Sequence, residues 1–313
     1  MAESTYEARR VQIEDTEDID RTEVRSYWTL ARQRFVHHRL AVIGAITLVV
    51  LIVAALVVPL IAGDTTGVSA SRSFGAAEVI SEDGELTLAL LGYSRTGNNL
   101  FGQLMAATGT SLMIAFAAVL IIVLIGILIG SVAGFAGGWV DNILMRVVDI
   151  ALAMPGLFII IAFVAFWGAS VWTVILAIGI TGWTLAARLV RAEFLSLREA
   201  DYVQAARALG ATPRRIILRH MLPPALAPII VAASLGVADS VVLEAALSFI
   251  GFGIPPTQAS LGTLLNQAFE YLNRDPILVL FPSVVLILIV LAANFMGDGM
   301  RDALDPRQRV EQR

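Results

Sequence analysis

Six apolar runs decide what this chain can become. The first, Leu40 to Ala62, passes 23 residues without a charge. As a helix it rises about 34 Å, enough to cross a hydrocarbon core about 30 Å thick. Lipid offers no water to satisfy backbone amides and carbonyls, so a run of this kind spans as a helix, bonded within itself. Five more runs follow at roughly residues 111–135, 147–167, 171–189, 225–243 and 277–296. The third is interrupted at Pro155 and Gly156. The composition fits only this class: 57% of residues are hydrophobic, 15% are charged and the mean hydropathy is +0.78. The expected fold is an all-α membrane protein with six transmembrane helices.

The charges orient it. All 22 basic residues are arginine. With the N-terminus inside, the N-terminal segment, the turn at Gly137, the region after the fourth span and the tail hold seven, one, seven and four arginines. The opposite side holds Arg72, Arg95 and Arg274. Nineteen against three places both termini in the cytoplasm. The absence of lysine has a second consequence. A phosphate-binding P-loop needs Gly-Lys-Ser/Thr, so ATP-driven work would require a separate ATPase.

Enzyme chemistry finds little to build on. There are no cysteines and only three histidines, His37, His38 and His220. No carboxylate–histidine cluster, serine elbow or metal-spaced set occurs at membrane depth. Asp298, Asp302 and Asp305 sit with Arg301 and Arg307 in the tail and read as a solvated helix end. No cofactor, metal or nucleic-acid site is expected.

In order along the chain, residues 1–39 form a polar cytoplasmic segment without a cleavable signal pattern. Within it Tyr27, Trp28, Phe35 and Val36 alternate with Arg32, Arg34 and Arg39, which suits a helix lying on the membrane surface. Residues 40–62 are the first span and 63–109 an extracytoplasmic loop insertion. A hairpin is expected there, turning at Glu82, Asp83, Gly84 and Glu85, followed by a short helix from Asn98 to Thr108. The second span carries Gly126, Gly130 and Gly134 at four-residue intervals. This ladder of small residues lets a second helix approach closely.

Between the fourth and fifth spans lies a polar helix–turn–helix. Asp201 is placed to cap the first helix, with Gln204 three residues on completing a capping box. Ala205, Ala206 and Ala208 give it a low profile. Gly210, after Leu209, supplies the left-handed C-terminal cap. Thr212 then caps a second helix with Pro213 at its first position, and Pro223 and Pro224 are expected to end that helix. The plainest reading is a loop folded back on its own spans; the other is a handle presented to a partner.

Ala205, Ala206, Gly210, Leu222 and Pro223 stand at the spacing of the signature of binding-protein-dependent ABC importer permeases, with Gln204 in place of the usual glutamate and His220 in place of isoleucine. Three further stretches extend the resemblance to the dipeptide/oligopeptide/nickel branch, in particular its second permease subunit. They are Gly137 to Asp141 with Met145, Arg146 and Asp149; Leu247 to Pro256 with Ser260 and Gly262; and Asn294 to Pro306. Gly97, Asn98 and Asn99 depart from the Gly-Arg-Asp usual before the second span, and residues 1–90 carry little resemblance.

The resemblance implies a type I importer fold with a permease core at 110–300, a coupling loop at 190–223 and a cytoplasmic tail at 301–313. It implies a non-catalytic subunit in a bacterial or archaeal cytoplasmic membrane. Its partners would be a second homologous permease, two cytoplasmic ATPases that bind the ATP and magnesium, and an extracytoplasmic solute-binding protein. The solute would be a di- or oligopeptide, with nickel, a metal chelate or haem as alternatives. Asp201, Gln204, Ala205, Ala206, Ala208, Leu209, Gly210 and Thr212 would form the ATPase-coupling element. A secondary transporter needing no ATPase is the competing class, and would use intramembrane ionisable groups. Asp239 and Glu244 are the candidates for either kind of pathway. They lie about 140° apart around a helix, not on one face. Glu244 can be read as facing the pathway and attracting a cationic solute group, or as pairing with an arginine of the second permease.

Overall fold

The computed structural model describes residues 27–62, 78–80, 86–91, 98–255, 257–273 and 276–304. A short helix α1 (Tyr27–His37) leads into α2 (Arg39–Ile61), the first span. The two helices break at His38, whose Nδ1 accepts a hydrogen bond from the Ala41 amide at 3.1 Å and so caps α2. Its Nε2 lies 3.4 Å from Asp302 in the last helix. Two strands follow in the loop insertion, β1 (Glu78–Ile80) and β2 (Leu86–Ala89), paired antiparallel. The turn expected between them lies outside the described residues, as do most of the N-terminal segment, Arg72, Arg95, Arg274 and the tail beyond Leu304.

The second span is longer than expected. Helix α3 runs unbroken from Leu100 to Ala136 and absorbs the separate short helix anticipated before it. Asn99 caps it by accepting from the Gly102 amide at 3.0 Å, and no residue between them and the span breaks the backbone. The third span is not straight: α4 (Gly138–Ala153) and α5 (Gly156–Trp167) meet at 81°. Pro155 has no amide to continue the α4 ladder and fixes the extended geometry of the cap, so the interruption becomes a bend. Then come α6 (Val171–Arg198), α7 (Asp201–Ala208), the single turn α8 (Pro213–Arg215), a π-helical turn (Ile216–Met221), α9 (Leu222–Phe249), α10 (Leu261–Phe269) and α11 (Ile277–Leu304). Among the described residues five helices are long and apolar enough to cross, or six with the bent α4–α5 pair taken as one span.

Pro223 and Pro224 do not end the helix that precedes them. The chain from Pro213 to Phe249 is one continuous helical run. The π turn just before the prolines widens the backbone, and the prolines occupy the first positions of α9. There a missing amide costs little.

Three apolar clusters hold the bundle. One joins α2, α3, α9, α10 and α11 around Leu48, Leu112, Val241, Leu261 and Ile289. A second joins α3, α5, α6 and α9 around Ile114, Ile160, Val174 and Leu247. The third closes the cytoplasmic end with Val190, Phe194, Val203, Ile216, Met221, Ala225 and Ile229.

The α3–α6 contact is the most extensive of the helix pairs. A Cβ at Gly126 would lie 2.5 Å from the Ala186 Cβ, one at Gly130 2.5 Å from the Ala187 carbonyl, and one at Gly134 2.5 Å from the Phe194 Cβ. Each glycine therefore receives a residue of α6 against its backbone, where van der Waals packing replaces the hydrophobic drive that lipid cannot supply. A Gly130→Ala change is expected to destabilise the protein by about 1–3 kcal/mol through overpacking. Gly156, which has nothing within 4 Å of its would-be Cβ, is the control: Gly156→Ala is expected to stay within about 0.5 kcal/mol. Unfolding in mixed micelles measures both, and equal stability of the two variants would contradict this packing.

Candidate cytoplasmic coupling site

Helix α7 is anchored beneath the bundle by one buried side chain. Val203 is fully buried and is the one buried residue of this helix; it packs into the cytoplasmic cluster with Phe194, Ile216 and Met221. The rest faces outward. Asp201, Gln204, Ala205 and Ala208 are exposed, Ala206 is half-buried, and Leu209 is 89% exposed. Tyr202 is also exposed by 47%, and partial desolvation raises its pKa above the usual tyrosine value. A leucine and a tyrosine next to exposed alanines make a shallow apolar patch left uncovered by the described residues.

The start of α7 differs from the sequence reading. Ala200, not Asp201, is the N-cap, and no side chain caps there. Asp201 is the first helical residue, where its charge still favours the positive end of the helix. Gln204 does not reach back to close a capping box; its Nε2 donates to the Arg198 carbonyl at 3.1 Å and ties α7 to the end of α6. The box fails because Asp201 lies one position too far along the helix.

The end of α7 follows the glycine. Gly210 has φ +79°. Its amide donates to the Arg207 carbonyl at 3.0 Å, and the Ala211 amide to the Ala206 carbonyl at 3.1 Å. These are the two bonds of a Schellman cap, and only glycine adopts that φ without strain. Thr212 is the N-cap of α8 by backbone geometry, with no side-chain bond, and Pro213 takes the first position. The Arg207 guanidinium stands 5.7 Å from the centre of the Phe135 ring at the inner end of α3. So α7 touches the inner ends of both α3 and α6.

A second set of ion pairs braces the same side. Arg191 of α6 makes a two-pronged pair with Asp141 of α4, its Nη2 lying 2.6 Å from Oδ2. Arg188 pairs with Asp149. In the sequence both aspartates stand out only as part of a resemblance, with no partner assigned to either. The signal was present in the alternation of arginines along the end of α6 and aspartates along α4.

The two pathway candidates separate. Asp239 is exposed on α9, in a stripe with Val242, Ala246 and Phe249. Glu244 is fully buried, and hydrogen bonds from Ser111 and Ser248, each 2.7 Å, reach its two oxygens. Within this chain Glu244 therefore lies closed off by Ser111 and Ser248 rather than open to a pathway. The helical 140° between the two residues put one outward and the other inward.

Residues 126–310 match the model of the binding-protein-dependent transport system inner membrane component, and residues 26–71 that of the N-terminal transmembrane domain of oligopeptide transport permease C. The chain belongs to the first of these families. It is 36% identical over 291 residues to the oligopeptide transport system permease protein OppC of Mycobacterium bovis, covering 92% of this chain and 97% of that one. It is 33% identical over 294 residues to the dipeptide transport system permease protein DppC of Alkalihalophilus pseudofirmus, covering 91% of each. A chain of the MetNI methionine ABC transporter, solved in inward facing conformations, superposes with a TM-score of 0.54 at 20% identity, over 65% of this chain and 96% of that one. That likeness establishes a shared fold. The protein is thus a multi-pass inner-membrane permease of an ABC importer, and the match to the N-terminal model reaches into the segment where the sequence alone suggested little kinship.

For this permease, Val203→Ala removes the anchor of α7. The expected cost is about 1–3 kcal/mol at that site, seen as hydrogen exchange of the α7 amides accelerated about tenfold with α3 and α6 unchanged. Unaltered α7 exchange would contradict the anchoring role.

Proposed function

We propose that this permease forms half of a peptide-conducting pathway and is driven through α7 by an ATPase that docks on it from the cytoplasm. The observation that carries the reading is the exposure of α7: a short helix pinned by Val203, with Leu209 and Tyr202 standing uncovered on the arginine-rich side. Ala205, Ala206 and Ala208 keep its outer surface low enough for a groove to receive it, and the cap at Gly210 sets where it ends. Asp201, Gln204 and Thr212 frame the same surface. In this reading the subunit catalyses nothing itself; ATP and magnesium belong to the partner.

The second half of the pathway is a homologous permease. Asp239 supports this. An acidic side chain at the surface of a membrane helix is costly in lipid and is accommodated by water or by a protein partner. The stripe of Asp239, Val242, Ala246 and Phe249 is the face proposed to meet the pathway and the second permease. A solute-binding protein outside delivers the cargo. The peptide assignment rests on the relatives named for dipeptide and oligopeptide transport.

An Ala205→Trp variant tests the docking. Ala205 is exposed, so the fold and membrane insertion are expected to survive while the groove is blocked. Uptake of a labelled tripeptide by cells carrying the full transporter is expected to fall by more than about tenfold, a rise of more than about 1.4 kcal/mol in the effective barrier. The ATPase is expected to copurify in smaller amounts. Uptake at the parental rate would refute the assignment.

A further inference from the structure

Glu244 lies at the outer end of α9, beside the short helix α10 that the chain lays down before its last span. Its Oε2 accepts from Ser111 Oγ of α3, and its Oε1 accepts from Ser248 Oγ of its own helix, both at 2.7 Å. Ser111 Oγ in turn accepts the Leu261 amide of α10 at 3.1 Å. Because that amide can only donate, the Ser111 hydroxyl proton is free to point at Glu244, and the bonds form one directed chain. Ser260 caps α10 at the same spot, joined to Thr263 in a reciprocal capping box. Two glycines press the elements together. A Cβ at Gly262 would lie 2.3 Å from the Ala245 carbonyl and 2.7 Å from the Ser248 Cβ, and one at Gly253 would meet Ser248 in the same way. Glu244, Ser111, Ser248, Ser260 and Leu261 are all at or under 3% exposure.

We infer that Glu244 is a positioning residue: it fastens the start of α10 to the outer ends of α3 and α9, and so sets the shape of the extracytoplasmic mouth without touching solute. This rests on the reading of the protein as a permease half with that end outside. The buried geometry supports it. A carboxyl group with both oxygens occupied by serine hydroxyls, and sealed from solvent, has no face left for cargo. The group joins three elements distant in sequence, since Ser111 and Glu244 are 133 positions apart and Ser111 and Leu261 are 150 apart. Removing the carboxyl leaves the Leu261–Ser111 bond, which joins α10 to α3, without the buried acceptor that orients the Ser111 hydroxyl.

The chain has no cysteine, so a single reporter thiol can be placed in α10. Ala268 is 7% exposed there. Ala268→Cys is introduced into the full transporter in native membranes and labelled from outside with a membrane-impermeant maleimide. Glu244→Ala is expected to raise the labelling rate about tenfold, as α10 comes free of a link made of buried hydrogen bonds. Glu244→Gln keeps an acceptor for Ser111 and a polar partner for Ser248, and is expected to label within about twofold of the parent. Ser111→Ala, which leaves Glu244 in place but breaks the link to Leu261, is expected to behave like Glu244→Ala. Unchanged labelling in Glu244→Ala, or labelling in Glu244→Gln as fast as in Glu244→Ala, would overturn the assignment. So would loss of tripeptide uptake in Glu244→Ala with α10 still protected, the mark of a solute contact. Failure of the ATPase to copurify with the parent would instead count against the permease reading, since thiol protection needs only this chain in its membrane.

Discussion

The close approach of α3 and α6 is the contact on which the rest depends. In lipid no solvent pushes apolar helices together, so two long helices stay in register only where their backbones can nearly touch. Gly126, Gly130 and Gly134 provide that strip, and Ala186, Ala187, Val190 and Phe194 fill it. The inner ends of this pair are where α7 is held, through the Arg198 carbonyl on one side and the Phe135 ring on the other. A force on α7 therefore meets a stiff two-helix unit rather than a single flexible rod. The α4 ion pairs to Arg188 and Arg191 brace the same unit.

The two ends of the bundle are built differently. The cytoplasmic end presents an apolar patch on a helix held by one buried valine, one hydrogen bond from Gln204 and the Arg207–Phe135 contact, a lighter attachment than the buried packing of the spans. The outer end is sewn by buried polar bonds between α3, α9 and α10, with glycines allowing backbone contact. The chain is thus lightly held below and firmly held above.

Much of this was legible in the sequence, for physical reasons that differ by element. The spans could be read because bilayer thickness fixes their length, and the orientation because arginine counts are lopsided. The glycine at 210 could be read because a positive φ leaves few alternatives. The start of α7 could not, because capping depends on a shift of one residue that composition does not encode, and Asp201 fell just inside the helix. The continuity through Pro223 and Pro224 was hidden for a similar reason: a π turn absorbs the prolines, and no residue type announces one. The buried setting of Glu244 could not be read, since its partner, Ser111, is 133 positions away, and a single carboxyl in an apolar run reads equally as a pathway lining or a sealed network. Its neighbour Asp239 carries the same local signal and lies on the surface. Tertiary placement alone separated them.

The central claim is that this permease moves solute only when an external ATPase works on it. Purified protein placed in sealed vesicles decides the matter directly, with a labelled tripeptide and binding protein on the side of the extracytoplasmic mouth. Accumulation is predicted only when the second permease and the ATPases are present with ATP inside. It is predicted to vanish with a non-hydrolysable nucleotide. Accumulation by this chain alone, with no nucleotide hydrolysed, would contradict the account.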